Sequence, residues 1–496
     1  MWPIPARGQL PPRPIGAHAA PPPGNRQLPP RSFAAREAVG LPAPLLSPSD
    51  AASGPAGAQV RWTLAEAVAF AMANNPRLRA AQAEVDRSLA NEQIAFAPFL
   101  PQVDLLNRYG GTDSNLSPGA PGLTGSILPE TRGGHTFVQS ELQVQWTLYD
   151  FGRTAGRYGR SAAQAQIARL RSQRACETIV FETRAAYWRG LQARDGRIIA
   201  LEAVLRSEAT LHDAEARRAG GVADRDDVLR SKVQVAAARE QLVRAEEAEL
   251  AALAQLNNVL GRPAQLPLEL ADERGVPELQ RTLAESVEVA VTARPEIAAA
   301  RQAVAAAEYQ RTAAAGDQMP KIYALASLGY VDGHNVQSGA QEGAGIHLNQ
   351  PLYAGGRRRG ELRAAEAEVR QATAQAQTIF DAVTLEATLA YRAVLAARDR
   401  VALAQPTIDE AQENLRLERV KYRNGDASPT DLVDAETALT QAQQRYFAAL
   451  YEHRTALARL DYALGVPAAP PLDSPPPPAD NGPQPAAPAS PSPGAP

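Results

Sequence analysis

Paired carboxylates are the residues of this sequence whose types and spacing come nearest to chemistry. Asp431 and Asp434 are three positions apart, which places both side chains on one face of a helix, and Asp226 and Asp227 are adjacent. Such groups can act as general acid and base, attract a cation or stabilise a helix start. No nucleophile or convergent base accompanies them, so the pattern does not favour an enzyme.

Other catalytic and ligand-binding motifs are missing from the sequence. The 6 histidines are scattered without a His-Glu-x-x-His pattern, and Cys176 is the only cysteine, so we expect no metal site. The triplet Gly355-Gly356-Arg357 lacks the rest of a phosphate-binding loop and is typical of a turn that enters a helix. The net charge of −3 gives no basic surface for nucleic acid. We therefore expect neither enzymatic activity nor a cofactor.

Each aspartate pair follows a turn signal, Gly220-Gly221 in one case and Asn424-Gly425 in the other. Glycine adopts the left-handed conformation that ends a helix, and Pro429 suits the first turn of the next one. Each turn therefore predicts the tip of an α-hairpin. Two interpretations of the aspartates stay open: favourable charge at a helix N-terminus, or carboxylate rings in a pore where several copies meet.

The helices that lead to and from these turns are very long. The pattern predicts helices over about 153–219 and 222–261, and again over about 357–423 and 429–465. The longest would measure roughly 100 Å, more than the core of a globular domain can hold. Pro406 predicts a bend in the third helix. A coiled-coil seam in the fourth is formed by Leu432, Leu439, Tyr446, Leu450, His453, Leu457, Leu460 and Leu464.

The chain contains the same unit twice. Residues 62–81 recur as 281–300, and "TLYDFGR" at 147–153 recurs as "PLYAGGR" at 351–357. The order of matching points is the same in both copies. A match on this scale indicates a duplicated structural unit rather than a short solenoid repeat.

Each copy also contains a β-hairpin, expected over about 101–150 and 320–353. Residues alternate there between an apolar face, with Val138, Leu142, Val144, Trp146 and Leu148, and a polar face, with Gln139, Glu141, Gln143, Gln145 and Thr147. Four strands leave open edges, which several chains could close into a barrel. A small soluble sheet with one wet face is the alternative. No apolar run reaches roughly 18 residues, so no transmembrane helix is expected.

These features divide the chain into five segments. A Pro-rich disordered segment is expected at 1–58 and another at 467–496, because neither composition can build a core. The first repeat is expected over 59–266, the linker over 267–280 and the second repeat over 281–466. The opening "MWPIPARGQLPPRPIG" contains no apolar segment of the kind that a secretory signal has.

The duplicated unit, the "TLAEAV…NNP" opening, the "LYDFGR" and "LYAGGR" helix entries and the "G-x5-D-[VL]-[LV]" pattern at both tips resemble the TolC-like outer-membrane efflux protein family, the outer membrane factors. The resemblance covers about 60–466. It implies a mainly α homotrimer: a 12-stranded outer-membrane β-barrel, with four strands from each chain, continued into the periplasm by a long 12-helix α-barrel. Trp146 and its neighbours would face lipid, and Gln143 and Gln145 the lumen.

The resemblance also implies a function. The chain would be the passive exit duct of a tripartite efflux pump or a type I secretion system, opened by a periplasmic adaptor (membrane fusion) protein and an inner-membrane pump. The periplasmic aperture would comprise Tyr422, Asp226, Asp227, Asp431 and Asp434. The adaptor would contact the tip turns at Gly220, Gly221, Asn424 and Gly425.

The tips also depart from the family pattern, because Ala427 replaces an arginine of the family's tip network, and Arg423 and Arg225 are the candidates to substitute for it. The rival interpretation of the whole chain is a soluble, elongated coiled-coil scaffold or adaptor protein with small β-caps. That interpretation accounts for the helices but not for an apolar strand face or for duplicated hairpins.

Overall fold

The structure is a computed structural model that describes residues 61–112, 135–221, 224–272, 279, 281–334 and 338–466. The two Pro-rich segments expected to be disordered, 1–58 and 467–496, lie outside the described residues. Each copy contributes four helices. Those of the first copy are α1 Leu64–Asn74, α2 Pro76–Phe96, α3 Arg153–Ala219 and α4 Arg225–Leu260. Those of the second copy are α5 Leu283–Ala293, α6 Pro295–Gly316, α7 Arg357–Asn424 and α8 Pro429–Leu464.

The strands are β1 Arg61–Trp62, β2 Gln102–Thr112, β3 His135–Tyr149, β4 Glu269–Leu270, β5 Lys321–His334 and β6 Gly339–Asn349. A turn of 3₁₀-helix, Ala97–Phe99, connects α2 to β2. The segment 267–280, expected to be a plain linker, contains β4, which pairs in parallel with β1. A two-residue strand pair leaves no periodic signal in a sequence. No helix of the described chain is apolar over a stretch long enough to cross a membrane.

The two copies begin with the same local device. Thr63 and Thr282 each accept a hydrogen bond from the backbone N–H of a glutamate three residues later, Glu66 or Glu285. That glutamate accepts one in return from the threonine N–H, at 2.8 Å in the first copy and 2.9 Å in the second. These capping boxes satisfy backbone donors that a helix start leaves free. A proline then opens α2 and α6, where its missing N–H costs nothing.

The two β-hairpins join into one antiparallel sheet of order β2-β3-β5-β6. Its register places the large apolar side chains on one face, and that face is exposed: Val103, Leu105, Tyr109, Val138, Leu142, Trp146, Leu148, Leu328, Tyr330, Ile346 and Leu348. On the opposite face Gln139 and Glu141 are only 5% and 7% exposed. The exposed face of the sheet is therefore apolar, and the other face is mainly polar, with Leu325 and Val331 as buried exceptions, the reverse of a soluble sheet.

The helices continue the sheet as two side-by-side arrangements. Nearest the strands, the contacts run α2-α3-α6-α7, the same order as the strands to which these helices connect, and we call this the strand-proximal layer. Toward the turns the order is α4-α3-α8-α7, which we call the tip layer. The long helices α3 and α7 belong to both. Pro406 lies inside α7, which remains one helix through it.

Two apolar cores lie where the short helices pack on the long ones. One contains Tyr187, Leu191, Leu256 and Leu260 beneath α1, and the other contains α5 against α7 and α8. The Tyr187 hydroxyl donates to the carbonyls of Trp62 and Ala271, at 3.0 and 2.8 Å. The seam predicted along α8 is buried at Leu432, Leu439, Leu450, His453, Leu460 and Leu464.

Candidate functional site: the helix tips

The tip turns are built on backbone conformations that only glycine adopts without strain. Gly221 and Gly425 have φ of +76° and +85°, whereas Gly220 has an ordinary φ of −79°. A Cβ atom added at either left-handed position would meet nothing within 4 Å. Glycine is thus required there for the backbone, which must reverse direction, and not for space.

The second hairpin restarts with a complete cap. The Ser428 hydroxyl accepts from the N–H of Asp431 at 3.2 Å, and the Asp431 carboxylate accepts from the Ser428 N–H at 2.9 Å and from its hydroxyl at 2.8 Å. These hydrogen bonds from Ser428, with a smaller contribution from Lys421, lower the pKa of Asp431. The Asp431 carboxylate is therefore committed to its own helix start.

The other three aspartates of the predicted aperture have different surroundings. Asp226 pairs with Arg230 at 2.8 Å on the same helix. Asp227 is half-buried near Tyr422, whose pKa it helps to raise. Asp434 is exposed and has no ion pair among the described residues. It is the one carboxylate of α8's first turns that stays free to act on a neighbouring surface or on solvent ions.

Tyr422 holds the two hairpins together at the tips. Its side chain is 5% exposed and packs with Leu415, Leu432 and Leu439 in a small apolar cluster, which we call the tip cluster. The guanidinium of Arg217, at the end of α3, lies 4.5 Å from the centre of the Tyr422 ring and donates to the Tyr422 carbonyl. Burial raises the pKa of Tyr422, and Arg217 opposes part of that shift.

Further polar contacts connect α3 and α8 at increasing distance from the tips. Thr210 donates to Glu436 at 2.9 Å, and Arg206 donates to Thr440 at 3.1 Å. Further from the tip, the Tyr451 hydroxyl donates to Asp195 at 2.7 Å, and burial together with this bond raises the pKa of Tyr451. The two hairpins are thus joined along their length by hydrogen bonds that cross from one copy to the other, which we call the inter-hairpin ladder.

Sequence reasoning did not identify the arginine that packs against Tyr422. Arg217 occupies the position against Tyr422, whereas Arg423 and Arg225 make no ion pair among the described residues. Ala427, which we expected at the position of the family arginine, packs against the tip cluster. The one weak indication was the position of Arg217 in the last turn of α3, where an arginine can interact with the carbonyl end of the helix.

The described residues of the tips offer polar contacts that can be made and broken. Within the described residues, no group of three or more His, Cys, Asp or Glu side chains could hold a metal ion. Cys176 is half-buried in α3, and burial raises the pKa of its thiol, which lowers its reactivity. The tips therefore present paired and exposed carboxylates beside contacts that join the two hairpins.

Comparison with known proteins places both copies in one family. The family model described as "Outer membrane efflux protein" matches residues 68–262 and 287–466. CyaE of Bordetella pertussis is 26% identical over 422 residues, which are 84% of this chain and 86% of CyaE. AprF of Pseudomonas aeruginosa, an alkaline protease secretion protein, is 25% identical over 410 residues, which are 80% of this chain and 83% of AprF.

Solved outer-membrane channels share the fold. VceC of Vibrio cholerae superposes with a TM-score of 0.70 at 20% identity, over 81% of this chain and 96% of VceC. The open state of MtrE of Neisseria gonorrhoeae superposes with a TM-score of 0.69 at 19% identity, over 81% of this chain and 88% of MtrE. The family model covers most of the described chain in both copies, and with the same fold present, the chain belongs to the outer membrane efflux protein family.

Proposed function

We propose that this chain forms a homotrimeric outer-membrane exit duct, which a periplasmic adaptor and an inner-membrane pump open at the helix tips. The observation that carries the proposal is the inverted sheet, apolar on its exposed face and mainly polar on the other, with an unpaired strand at each edge. A sheet of this kind suits a lipid surround and a water-filled interior. The outer-membrane localisation of the family agrees with it.

The edges of the molecule support a closed ring of copies. In the tip layer the edge helices α4 and α7 carry exposed apolar side chains, Leu229, Val233, Val243 and Leu250 on one and Leu385, Leu389, Leu403, Leu417 and Val420 on the other. β2 and β6 are the unpaired edges of the sheet. Two different edges that join head to tail form a ring if the rotation closes. Three copies supply the 12 strands and 12 helices of the family architecture.

The aperture is assigned to the tips. In the ring, Asp434 with Asp431, Asp226 and Asp227 surrounds the periplasmic opening, and Tyr422 with Arg217 keeps it closed. The turns at Gly220, Gly221, Asn424 and Gly425 are the ends of the helical hairpins and the proposed contact for the adaptor. Opening requires the lower part of the inter-hairpin ladder to break, which adaptor binding can drive if it favours the open tips.

The duct itself is passive. Relatives are named for protein secretion, as AprF is, and for small-molecule efflux, as the toluene efflux protein TtgF of Pseudomonas putida is. The shared scaffold therefore leaves the choice of cargo largely to the pump that it serves. The soluble scaffold interpretation has no support from the family assignment or from the exposed apolar face of the sheet.

Oligomeric state and location test the proposal directly. The protein should fractionate with outer membranes and run as a trimer by light scattering in detergent. Leu403→Glu, at a side chain 74% exposed on the α7 edge, should shift the population toward monomer. Gln371→Glu on the same helix, which lines a surface cavity of the strand-proximal layer, is the control and should leave the trimer intact. A wild-type protein that is monomeric and soluble without detergent would refute the proposal.

A further inference from the structure

Two cavities adjoin on one face of the strand-proximal layer. The first, about 460 Å³, lies between α3, α6 and α7, and the second, about 540 Å³, touches α2, α3, α6 and α7. Glu368 lines both. This inference rests on the proposed trimer and takes the face of the layer that carries both cavities as the one that lines the duct.

The walls of these cavities are rich in arginine. Six arginines line them, Arg87, Arg157, Arg160, Arg171, Arg357 and Arg358, against four carboxylates, Glu84, Asp317, Glu361 and Glu368. Every carboxylate already has an arginine partner. Asp317 is shared, because Arg153 approaches it at 2.6 Å and Arg157 only at 3.6 Å. The cavity lining therefore carries a net positive charge.

Arg358 is the most exceptional of these side chains. It lines the first cavity and has no ion pair among the described residues. Its Nε and Nη1 atoms are buried and have no hydrogen-bond partner. A buried donor on a charged group that goes unpaired is costly, so an anion that reached this guanidinium would stabilise it.

The helix N-termini near these cavities also favour a negatively charged ligand. α7 begins with Arg357, has no acidic residue in its first turn and has no side-chain cap. α3 begins with Arg153 and also lacks a first-turn acid, but there the Asp150 carboxylate already accepts from the Thr154 N–H at 2.8 Å. By contrast, α1, α4, α5, α6 and α8 all have an acidic residue there. Arginine at a helix N-terminus is repelled by the helix dipole, and a bound anion would reverse that interaction.

We infer that the cavity between α3, α6 and α7 binds a carboxylate or phosphate group of cargo in transit, held by Arg358 with Arg157 and Arg357. Guanidinium groups match the planar geometry of these anions and bond them through two N–H donors. A volume of about 460 Å³ is in the range of small-molecule sites, so a group rather than a whole protein occupies it. The duct thus favours anionic molecules at a point far from its tips.

Citrate and inorganic phosphate are suitable probes, and Arg358→Gln is the test variant. Titration calorimetry on the detergent-solubilised trimer should give heat of binding for the wild type. In planar bilayers, citrate should reduce the current, and Arg358→Gln should raise the half-blocking concentration about tenfold, as expected from losing a hydrogen bond between charged groups. Arg359→Gln is the matched control, since Arg359 is exposed on the next position of the helix and lines neither cavity.

The outcomes separate this inference from the proposed function. A wild type that conducts but neither binds citrate or phosphate nor loses affinity in Arg358→Gln overturns the anion site and leaves the duct. Equal effects of Arg358→Gln and Arg359→Gln also overturn it, because the charge alone would then suffice. A loss of trimer stability in Arg358→Gln without wild-type binding would assign the guanidinium to a carboxylate of a neighbouring copy. Binding without any conductance would support the site and refute the duct.

Discussion

The tips of the two α-hairpins come from duplicated units, yet they are held differently. The second tip has a complete capping box at Ser428 and its own apolar cluster around Tyr422. In the first, the side chain of Asp224 at the start of α4 makes no cap hydrogen bond. The first tip has an ion pair of its own, Lys232 with Glu215 at 3.4 Å, and adds contacts to the second, because Arg217 reaches Tyr422 and Arg230 reaches Thr430 at 3.5 Å. The second tip is thus fixed mainly from within, whereas the first relies more on its neighbour.

The difference between the two tips indicates which contacts should break first if the proposed aperture opens. Contacts within a hairpin survive a movement of one hairpin past the other, whereas contacts between hairpins do not. The parts most easily released are then the polar contacts from Arg217, Arg230 and Thr210, and the tip cluster stays folded as it moves. The following substitutions test that division, in order of decreasing expected effect.

Tyr422→Ala should have the largest effect, since it removes the buried centre of the second tip. Truncating a buried aromatic side chain costs about 3–5 kcal/mol, which should unfold the turn locally. Hydrogen exchange of the first turns of α8 should accelerate strongly, while α4 changes less. Tyr422→Phe is the control, because it keeps the ring beneath Arg217. If both variants exchange at the wild-type rate, the second tip is not self-supporting.

Arg217→Ala should release the first tip while the second stays folded. The substitution removes a ring contact and a charged hydrogen bond, together worth about 2 kcal/mol, so the open population should rise roughly tenfold or more. Single-channel recordings should show more frequent or larger conductance. Arg218→Ala is the matched control, as that side chain is exposed and makes no ion pair among the described residues. Equal behaviour of the two variants would contradict the role of Arg217.

Ser428→Ala and Asp224→Ala compare the two helix starts directly. Loss of a working cap costs about 1 kcal/mol, so Ser428→Ala should speed exchange in the first turn of α8. Asp224→Ala should change α4 little, because no cap hydrogen bond is lost. A larger effect at Asp224 would reverse the proposed distinction between the tips.

Low pH should destabilise the first turn of α8 more than the first turn of α4. The folded state lowers the pKa of Asp431 below the usual aspartate value of 3.8, so its stabilisation is present above that value and is lost as pH falls through the lowered one. Protection of the first turn of α8 should therefore decrease below about pH 4 in the wild type. Asp431→Asn should remove most of this dependence, and an unchanged acid response in that variant would count against the capping role.

Asp434→Asn should have the smallest effect on structure and still alter conduction. Asp434 is unpaired, whereas Asp226 is largely neutralised by Arg230. Reversal potentials in a salt gradient should show a loss of cation preference for Asp434→Asn, and a greater loss for the double variant with Asp431→Asn. Asp226→Asn should shift the potential less. Unchanged cation preference in the double variant would remove these carboxylates from the aperture.

Much of the fold could be predicted because its signals are local. The Gly-Arg pairs entering the long helices and the glycines ending them fixed the expected bounds, and the structure has α3 at Arg153–Ala219, as the pattern predicts, while α4 begins a few residues later than expected. Alternation over β3 assigned its apolar face correctly. Each of these features depends on neighbours in the chain.

Contacts between the copies were not predictable in the same way. Arg217 meets Tyr422 only because two long helices have a particular rotation and offset, and each residue of shift turns a helix by about 100°. The orphaned guanidinium of Arg358 likewise emerges only when three helices surround it. The pairing of β1 with β4 involves too few residues to form a pattern.

The proline inside α7 gives the two long helices unequal stiffness. Pro406 has no N–H to bond the carbonyl of Ala402, so the backbone ladder lacks one rung there, whereas α3 contains no proline. A force applied at the tip of α7 should bend the helix at Pro406 rather than evenly along its length. We therefore expect α7 to flex mainly between Pro406 and its tip, so that the arginine-lined cavities near the strands keep their dimensions while the tip moves.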